Sequence, residues 1–509
     1  STNSELMKRQ SMGRGEDRIS NLPDPILQSI LCMMPLKSAI RTSTLSQRWR
    51  NLWEYSLISS AALEFGDEFS CNQSPKQFVS MLNRYLHIYE SKHVEKFRIL
   101  FSPFDLFFRD IETWIGFAVS KGVKQLDIDL SQGIVQNGVY IDGKVAFVLP
   151  NSLFECNTLT NLSLSRCDIA SPFDVSGFRG LRQLSLSHVN ITNDMLERML
   201  VDCRALESLS IKSCLLLSEI RITGPELRLQ KLTIMDCFEA YDLEISAPKL
   251  QSLIYYGRIC STNEFHNMSS LVDACIYSIG RVNYDLDDDY AKWISDLSQV
   301  KVLTLCSVAL MGIAFADEYG EEELPIELQN LQELQLVMDS LTEEHLSYIS
   351  AFFQLCPSPF LEKLFIQLPG ELNELIDITY GAFIDEDSPG VLFNHLKVIK
   401  VTNFRGFVNE LRLVKFLLEK AVVLESLVLV TPLDVDRNEE SNNSQSGCET
   451  QFMKPRETLS LKILRGQLLL LSKASNEARI VLREFSEDDR SLNPMHSILY
   501  TENVIQVFD

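Results

Sequence analysis

One phrase, L-x-x-L-x-L, recurs along most of the chain and restricts its possible folds more than any other feature. Strict copies begin at Leu159 (LTNLSL), Leu181 (LRQLSL), Leu206 (LESLSI), Leu229 (LQKLTI), Leu331 (LQELQL), Leu361 (LEKLFI) and Leu424 (LESLVL). Looser copies begin at Val94, Val123, Leu250, Leu271, Val300 and Leu396. The starts at 159, 181, 206 and 229 step by 22, 25 and 23 residues, and later steps lengthen to roughly 28–35. Alternating apolar positions predict one short strand per copy, leucines inward and the residues between them outward. No single copy can bury its leucines, so the copies must stack, and the prediction is an α/β solenoid, a horseshoe with positions three, five and seven on its concave side.

The period is that of leucine-rich repeats. Cys167, Cys214 and Cys237 each occupy position nine of a copy, where such repeats place a buried Cys or Asn. C-x-x-C-like pairs are missing from the sequence, so these thiols read as structural rather than metal-binding. The expectation is no metal and no cofactor.

The N-terminal stretch "ISNLPDPILQSILCMMPLKSAIRTSTLSQRWRNLW" has a different pattern. Leu27, Ile30, Leu31 and Met34 share one helix face, with Asn21 or Asp24 suited to cap it and Pro23 and Pro25 to its first turn. Pro35 ends that helix; a second carries Leu36, Ala39 and Ile40. A third, capped by Ser46, is expected to put Leu45, Trp49, Leu52 and Trp53 on one side. Three short helices cannot bury so many large apolar groups among themselves, so some must meet another element or protein. Arg41, Arg48 and Arg50 are expected on the solvated face, their stems lying over tryptophan.

Residues 17–55 resemble the F-box, the module that docks a substrate receptor onto the Skp adaptor of a cullin–RING ubiquitin ligase. The likeness rests on "LPDPIL", "MPLKSAIRTS" and "LSQRWRNLW"; Ser38 stands where relatives often carry an acidic residue. The resemblance implies that Leu22, Pro23, Ile26, Ile30, Leu36, Leu45 and Trp49 face the adaptor. Residues 396–429 resemble the FBD module of plant F-box/FBD/LRR-repeat proteins, through Phe404, Arg405 and Gly406, then Glu410, Leu411, Val414, Leu417 and Leu418, then Leu424 and Glu425. Read from its residues alone, this stretch is one more repeat that caps the solenoid. The implied organisation is a disordered 1–16, an F-box at 17–60, repeats over 61–395 and FBD-like repeats with a cap over 396–509. A mobile loop is expected at 434–458, then a helix around 459–474 and a strand in "ARIVLREF".

Charge narrows the partners. The net charge is −22, and residues 1–55 hold eight Lys/Arg against five Asp/Glu, leaving 39 against 64, or −25, for the rest. So acidic a body repels nucleic-acid backbones and anionic lipid, and no stretch approaches the ~20 apolar residues of a membrane helix. The first twenty residues carry no apolar signal core, so a cytoplasmic or nuclear location is expected. No Walker, G-x-G-x-x-G, H-E-x-x-H or G-x-S-x-G motif occurs, and the seven histidines are scattered, so the chain reads as a non-enzyme. The reading is a substrate receptor that holds a protein target near activated ubiquitin. The alternatives are a small-molecule, hormone-type receptor using the concave face, and a scaffold independent of ubiquitination. The candidate target site is Ile254, Tyr256, Tyr277 and Phe365, expected to be exposed beside acidic turns at 285–289 and 317–323 and suited to a basic segment.

Overall fold

Alternate leucines turn each copy of the phrase into a five- or six-residue parallel strand. In the computed structural model, residues 19–496 are described except 20, 35, 67–68, 70–73, 102–105, 132–134, 137–138, 141–145, 170–174, 225, 261, 279–289, 320–324, 371–390, 433–460 and 489–493. The expected mobile loop at 434–458, the N-terminal 1–16 and the acidic run at 285–289 therefore lie outside the described residues. The chain divides into two compact units, Ser1–Leu206 and Glu207–Asp509.

The first unit opens with helices α1 (Asp24–Cys32), α2 (Leu36–Arg41) and α3 (Leu52–Ser59). Strand β1 (Ala62–Phe65), helix α4 (Pro75–Ile88), β2 (Lys96–Leu100), α5 (Phe108–Ser120), β3 (Gln125–Asp129), β4 (Asn161–Ser165), β5 (Gln183–Ser187) and α6 (Asn193–Asp202) follow. Its strands pair in parallel in the order β1-β2-β3-β4-β5. Equivalent leucines stack in register, Leu162 on Leu184 and Leu164 on Leu186, so each repeat closes the core of the one before.

In the second unit the early repeats return by strands. β6 (Ser208–Lys212), β8 (Lys231–Met235), β10 (Ser252–Gly257) and β12 (Asp273–Ser278) alternate with β7 (Glu219–Thr223), β9 (Asp242–Ser246) and β11 (Thr262–His266). The latter three form their own parallel sheet. The longer late repeats have room for helices instead. Here α7 (Tyr290–Asp296), β13 (Val302–Cys306), α8 (Ser307–Tyr319), β14 (Glu333–Val337), α9 (Glu343–Leu355), β15 (Lys363–Gln367), β16 (Val398–Thr402), α10 (Val408–Lys420), β17 (Ser426–Val430), α11 (Leu461–Leu469) and β18 (Arg479–Arg483) alternate. The acidic turn expected at 317–323 is corrected: its first residues continue α8 to Tyr319, and 320–324 lie outside the described residues.

Position eight of many repeats is a residue with side chain in the left-handed region: Arg166 (φ 56°), His188 (φ 52°), Ser213 (φ 50°), Asp236 (φ 54°) and Asn403 (φ 60°). That conformation ends the strand sharply. Its N–H still finds the next repeat: Arg166 donates to the Ser187 carbonyl (2.9 Å), Ser213 to Met235 (2.8 Å) and Asp236 to Tyr256 (2.8 Å). The bend sends position nine inward, and Cys167, Cys214 and Cys237 are buried.

The FBD-like stretch is built the same way around one carboxylate. Glu410 accepts from the N–H groups of Arg405 (2.8 Å), Gly406 (2.6 Å) and Phe407 (3.1 Å), satisfying donors at the start of α10. Arg405 reaches back to the carbonyls of Pro369 (3.0 Å) and Gly370 (2.6 Å). Gly406 sits at φ +81°, and a Cβ there would lie 2.5 Å from Leu464 of α11. Phe404 is fully buried. The hallmark residues thus lock a turn within the repeats.

Candidate protein-docking surfaces

The first surface is helical. Leu27 and Leu31 of α1 are completely buried, with Ala39 of α2 and Leu57 of α3. Ser56 donates to the Leu31 carbonyl (3.1 Å), and the Trp53 indole donates to the Arg50 carbonyl (3.0 Å). The Trp53 ring meets Tyr85 of α4 edge-on at 5.3 Å, anchoring the three helices to the first repeats. Two sequence expectations are corrected. Ser46 does not cap α3: residues 47–51 form turns and α3 begins at Leu52. Trp49 does not face outward, because these turns fold it into the interior at 4% exposure.

Arg48 is also more than a solvated side chain. Its guanidinium takes Asp24 Oδ1 at 2.6 and 3.1 Å and the Leu22 carbonyl at 2.5 Å, tying the turns to the start of α1. The apolar groups left outside include Ile26 (46% exposed), Leu45 (68%) and Met33 (79%), with Pro23 exposed and Leu22, Ile30 and Leu36 half-buried. Large apolar side chains held outward on a buried scaffold are typical interface anchors.

The second surface is the side of the strands that carries positions three, five and seven. In the second unit, register runs position five as Ile254, Cys275, Thr304, Gln335, Phe365 and Lys400. The exposed aromatic site expected here is corrected. Tyr256 and Tyr277 are buried and stacked on each other at 5.0 Å, and Phe365 is buried between Gln335 and Lys400; Ile254 alone keeps partial exposure. The Tyr277 hydroxyl donates to Asp339 (2.7 Å), whose other oxygen accepts from Ser307 (2.9 Å); burial and the Asp339 charge push the phenol pKa well up.

Three residues near the C-terminus, Asp488, Met495 and His496, meet this side. Asp488 meets the Lys400 ammonium at 2.8 and 3.0 Å, and the Met495 N–H donates to Glu333 (3.1 Å). His496 Nδ1 lies 2.7 Å from the Thr304 hydroxyl and its Nε2 3.0 Å from Asp273. Thr304 in turn donates to Gln335 (2.9 Å), Gln335 to Glu333 (2.8 Å), and Ser252 to Asp273 (2.6 Å). The result is one hydrogen-bonded chain from β10 to β14 that runs through His496. Among the described residues, no group of His, Cys, Asp and Glu could hold a metal ion, and no helix is long and apolar enough to cross a membrane.

A sequence profile for the LRR domain of At1g61320/AtMIF1 matches residues 69–460, most of the chain, and one for the F-box domain matches 19–58. The chain belongs to the At1g61320/AtMIF1 LRR-domain family, behind an F-box. It is similar to F-box protein At3g62230 of Arabidopsis thaliana, 26% identical over 439 residues, 83% of this chain and 93% of the relative. F-box/LRR-repeat protein 13 of the same plant is 27% identical over 433 residues, covering 81% and 89%. F-box/FBD/LRR-repeat protein At2g26030, also from Arabidopsis thaliana, is 24% identical over 440 residues, covering 81% and 92%.

Sequence reasoning about this F-box/LRR chain missed Asp273, Thr304, Glu333, Lys400, Asp488 and His496. One signal was present: Lys400 is a charge inside the strand "VIKVT". Its partners were unreadable, because the contacts span 88, 192 and 223 residues.

Proposed function

We propose that this F-box/LRR chain is the substrate-recognition subunit of a Skp–cullin–F-box ubiquitin ligase. The helical surface docks the Skp adaptor, the repeats hold a protein target, and the chain performs no chemistry of its own. The observation that carries the reading is the outward set Ile26, Met33 and Leu45, over the buried Leu27, Leu31 and Trp49, within the stretch that matches the F-box. Leu22, Pro23, Ile30 and Leu36 complete the docking surface. Trp49 supports it from beneath and does not contact the adaptor.

The test is co-purification of the full chain with recombinant Skp adaptor. Wild type is expected to form a stable complex; Ile26→Asp with Leu45→Asp is expected to lose it while the thermal melt is unchanged. A wild-type chain that does not bind the adaptor ends the ligase reading.

A further inference from the structure

We infer that the strand face of the second unit is a bipartite peptide-binding site, with an anion subsite at Lys400 and a cation subsite at Asp273, Thr304 and Glu333, occupied in cis by the chain's own Asp488 and by Met495 and His496. The site takes an extended protein segment carrying a carboxylate and, several residues on, a lysine, arginine or histidine. The inference deepens the receptor reading and rests on it for its biological role; its test needs no adaptor.

The chemistry of each subsite decides the ligand. Lys400 is 2% exposed and stands at position five, where Ser163 and Ser185 of the first unit are small and polar. An ammonium out of water needs a counter-charge, and Asp488 supplies it with both oxygens. At the other end, among the described residues, both groups within hydrogen-bond distance of the His496 ring are acceptors. Asp273 is a carboxylate, and the Thr304 hydroxyl already gives its proton to Gln335. Glu333 adds a second carboxylate, which takes the Met495 N–H. Such a set suits a side chain rich in N–H donors. Thr304 and Lys400 lie three register steps apart, roughly 14 Å at ordinary strand spacing. The eight-residue step from Asp488 to His496 bridges that with slack, since it can reach about 26 Å.

The way the segment is held marks it as displaceable. A core element buries its apolar side chains, but here Phe485 is 42% and Met495 55% exposed, and the turn Phe485–Glu487 buries none of its residues. Its polar side chains hold it in place. A target that supplies the same two groups and also covers the exposed Phe485 and Met495 competes on favourable terms.

Cys275 reports whether the segment is in place. It is the register partner of Thr304 and follows Asp273 by two residues, so it neighbours both groups that hold the His496 ring. Burial raises its thiol pKa well above normal and suppresses its reactivity. In the full chain, Asp488→Ala with His496→Ala is expected to speed labelling of Cys275 at least tenfold, with Cys167 and Cys214 as slow as in wild type. A fluorescent synthetic peptide of residues 484–498 is expected to bind this double variant at least tenfold more tightly than wild type, and adding Lys400→Met is expected to remove that binding. Equal peptide binding by wild type and double variant overturns the proposal, as does an unchanged Cys275. Joint acceleration of all three thiols overturns it too, since the segment would then be an integral part of the fold. Adaptor binding is independent of every one of these outcomes.

Discussion

The same repeated phrase produces two unlike faces. On β4 and β5 the residues between the leucines are Asn161, Ser163, Ser165, Gln183, Ser185 and Ser187, and most stay partly open. On β12 to β16 the corresponding Asp273, Cys275, Thr304, Gln335, Phe365 and Lys400 are all buried. The inward leucines of both regions are equally buried and equally in register. What differs is whether a distant part of the chain comes to lie on the strands. A buried odd-position residue must pair its polar atoms or pack its ring, whereas an open one answers only to water.

Thiol chemistry sharpens the shared part of that comparison most. Burial pushes Cys203 in the first unit and Cys237 and Cys356 in the second up to about 12. At pH 8 roughly one in ten thousand of each is thiolate. Among the described cysteines the exposed Cys32 is expected to react first by orders of magnitude, and these three buried thiols to stay silent until denaturant unfolds them. A rise in pH toward 10 should speed them only through that small thiolate fraction.

Core truncations come next. Leu164→Ala and Leu336→Ala each empty a stacked inward position, one in each unit, and are expected to cost about 2–5 kcal/mol apiece in chemical denaturation. A much smaller loss at either would break the claim that the two cores are equivalent.

On the outward face the two regions should diverge. Lys400→Ala strands Asp488 and is expected to cost about 2–3 kcal/mol, less than a fully trapped charge because the segment can lift into water. Ser185→Ala, on the open face, is expected to change stability by less than about 0.5 kcal/mol. Matching values would erase the distinction between covered and open strands. Smallest among the measurable losses is Gly406→Ala at about 1–2 kcal/mol. The positive φ strains any side chain, and the flexible end of Leu464 can move aside.

Much was legible because it is local and periodic. The L-x-x-L-x-L copies fall on strands wherever they are described, the position-nine cysteines are buried, and the "LPDPIL" helix, its two buried leucines and the proline beyond its end follow from spacing alone. The repeats at Leu206, Leu229 and Leu250 return by strands, whereas the one at Leu181 and the longer late ones return by helices. Even there, boundaries slipped. The spacing puts Leu45 and Trp49 on one helix face, but the chain turns between them, and one lies outside while the other lies inside.

Only the tertiary structure decided which outward residues stay outward. Tyr256, Tyr277 and Phe365 have the alternation of exposed positions, and nothing adjacent in sequence says that they are covered. Burial of a strand's second face depends on what crosses it: Asp339 takes the Tyr277 hydroxyl, and Thr304 meets His496, 192 residues away. Periodicity records the inward side because each leucine meets its counterpart in the next repeat. The outward side has no such neighbour rule, so a lysine in a strand, a histidine near the end and an aspartate in mid-chain acquire meaning only once the fold brings them within 3 Å.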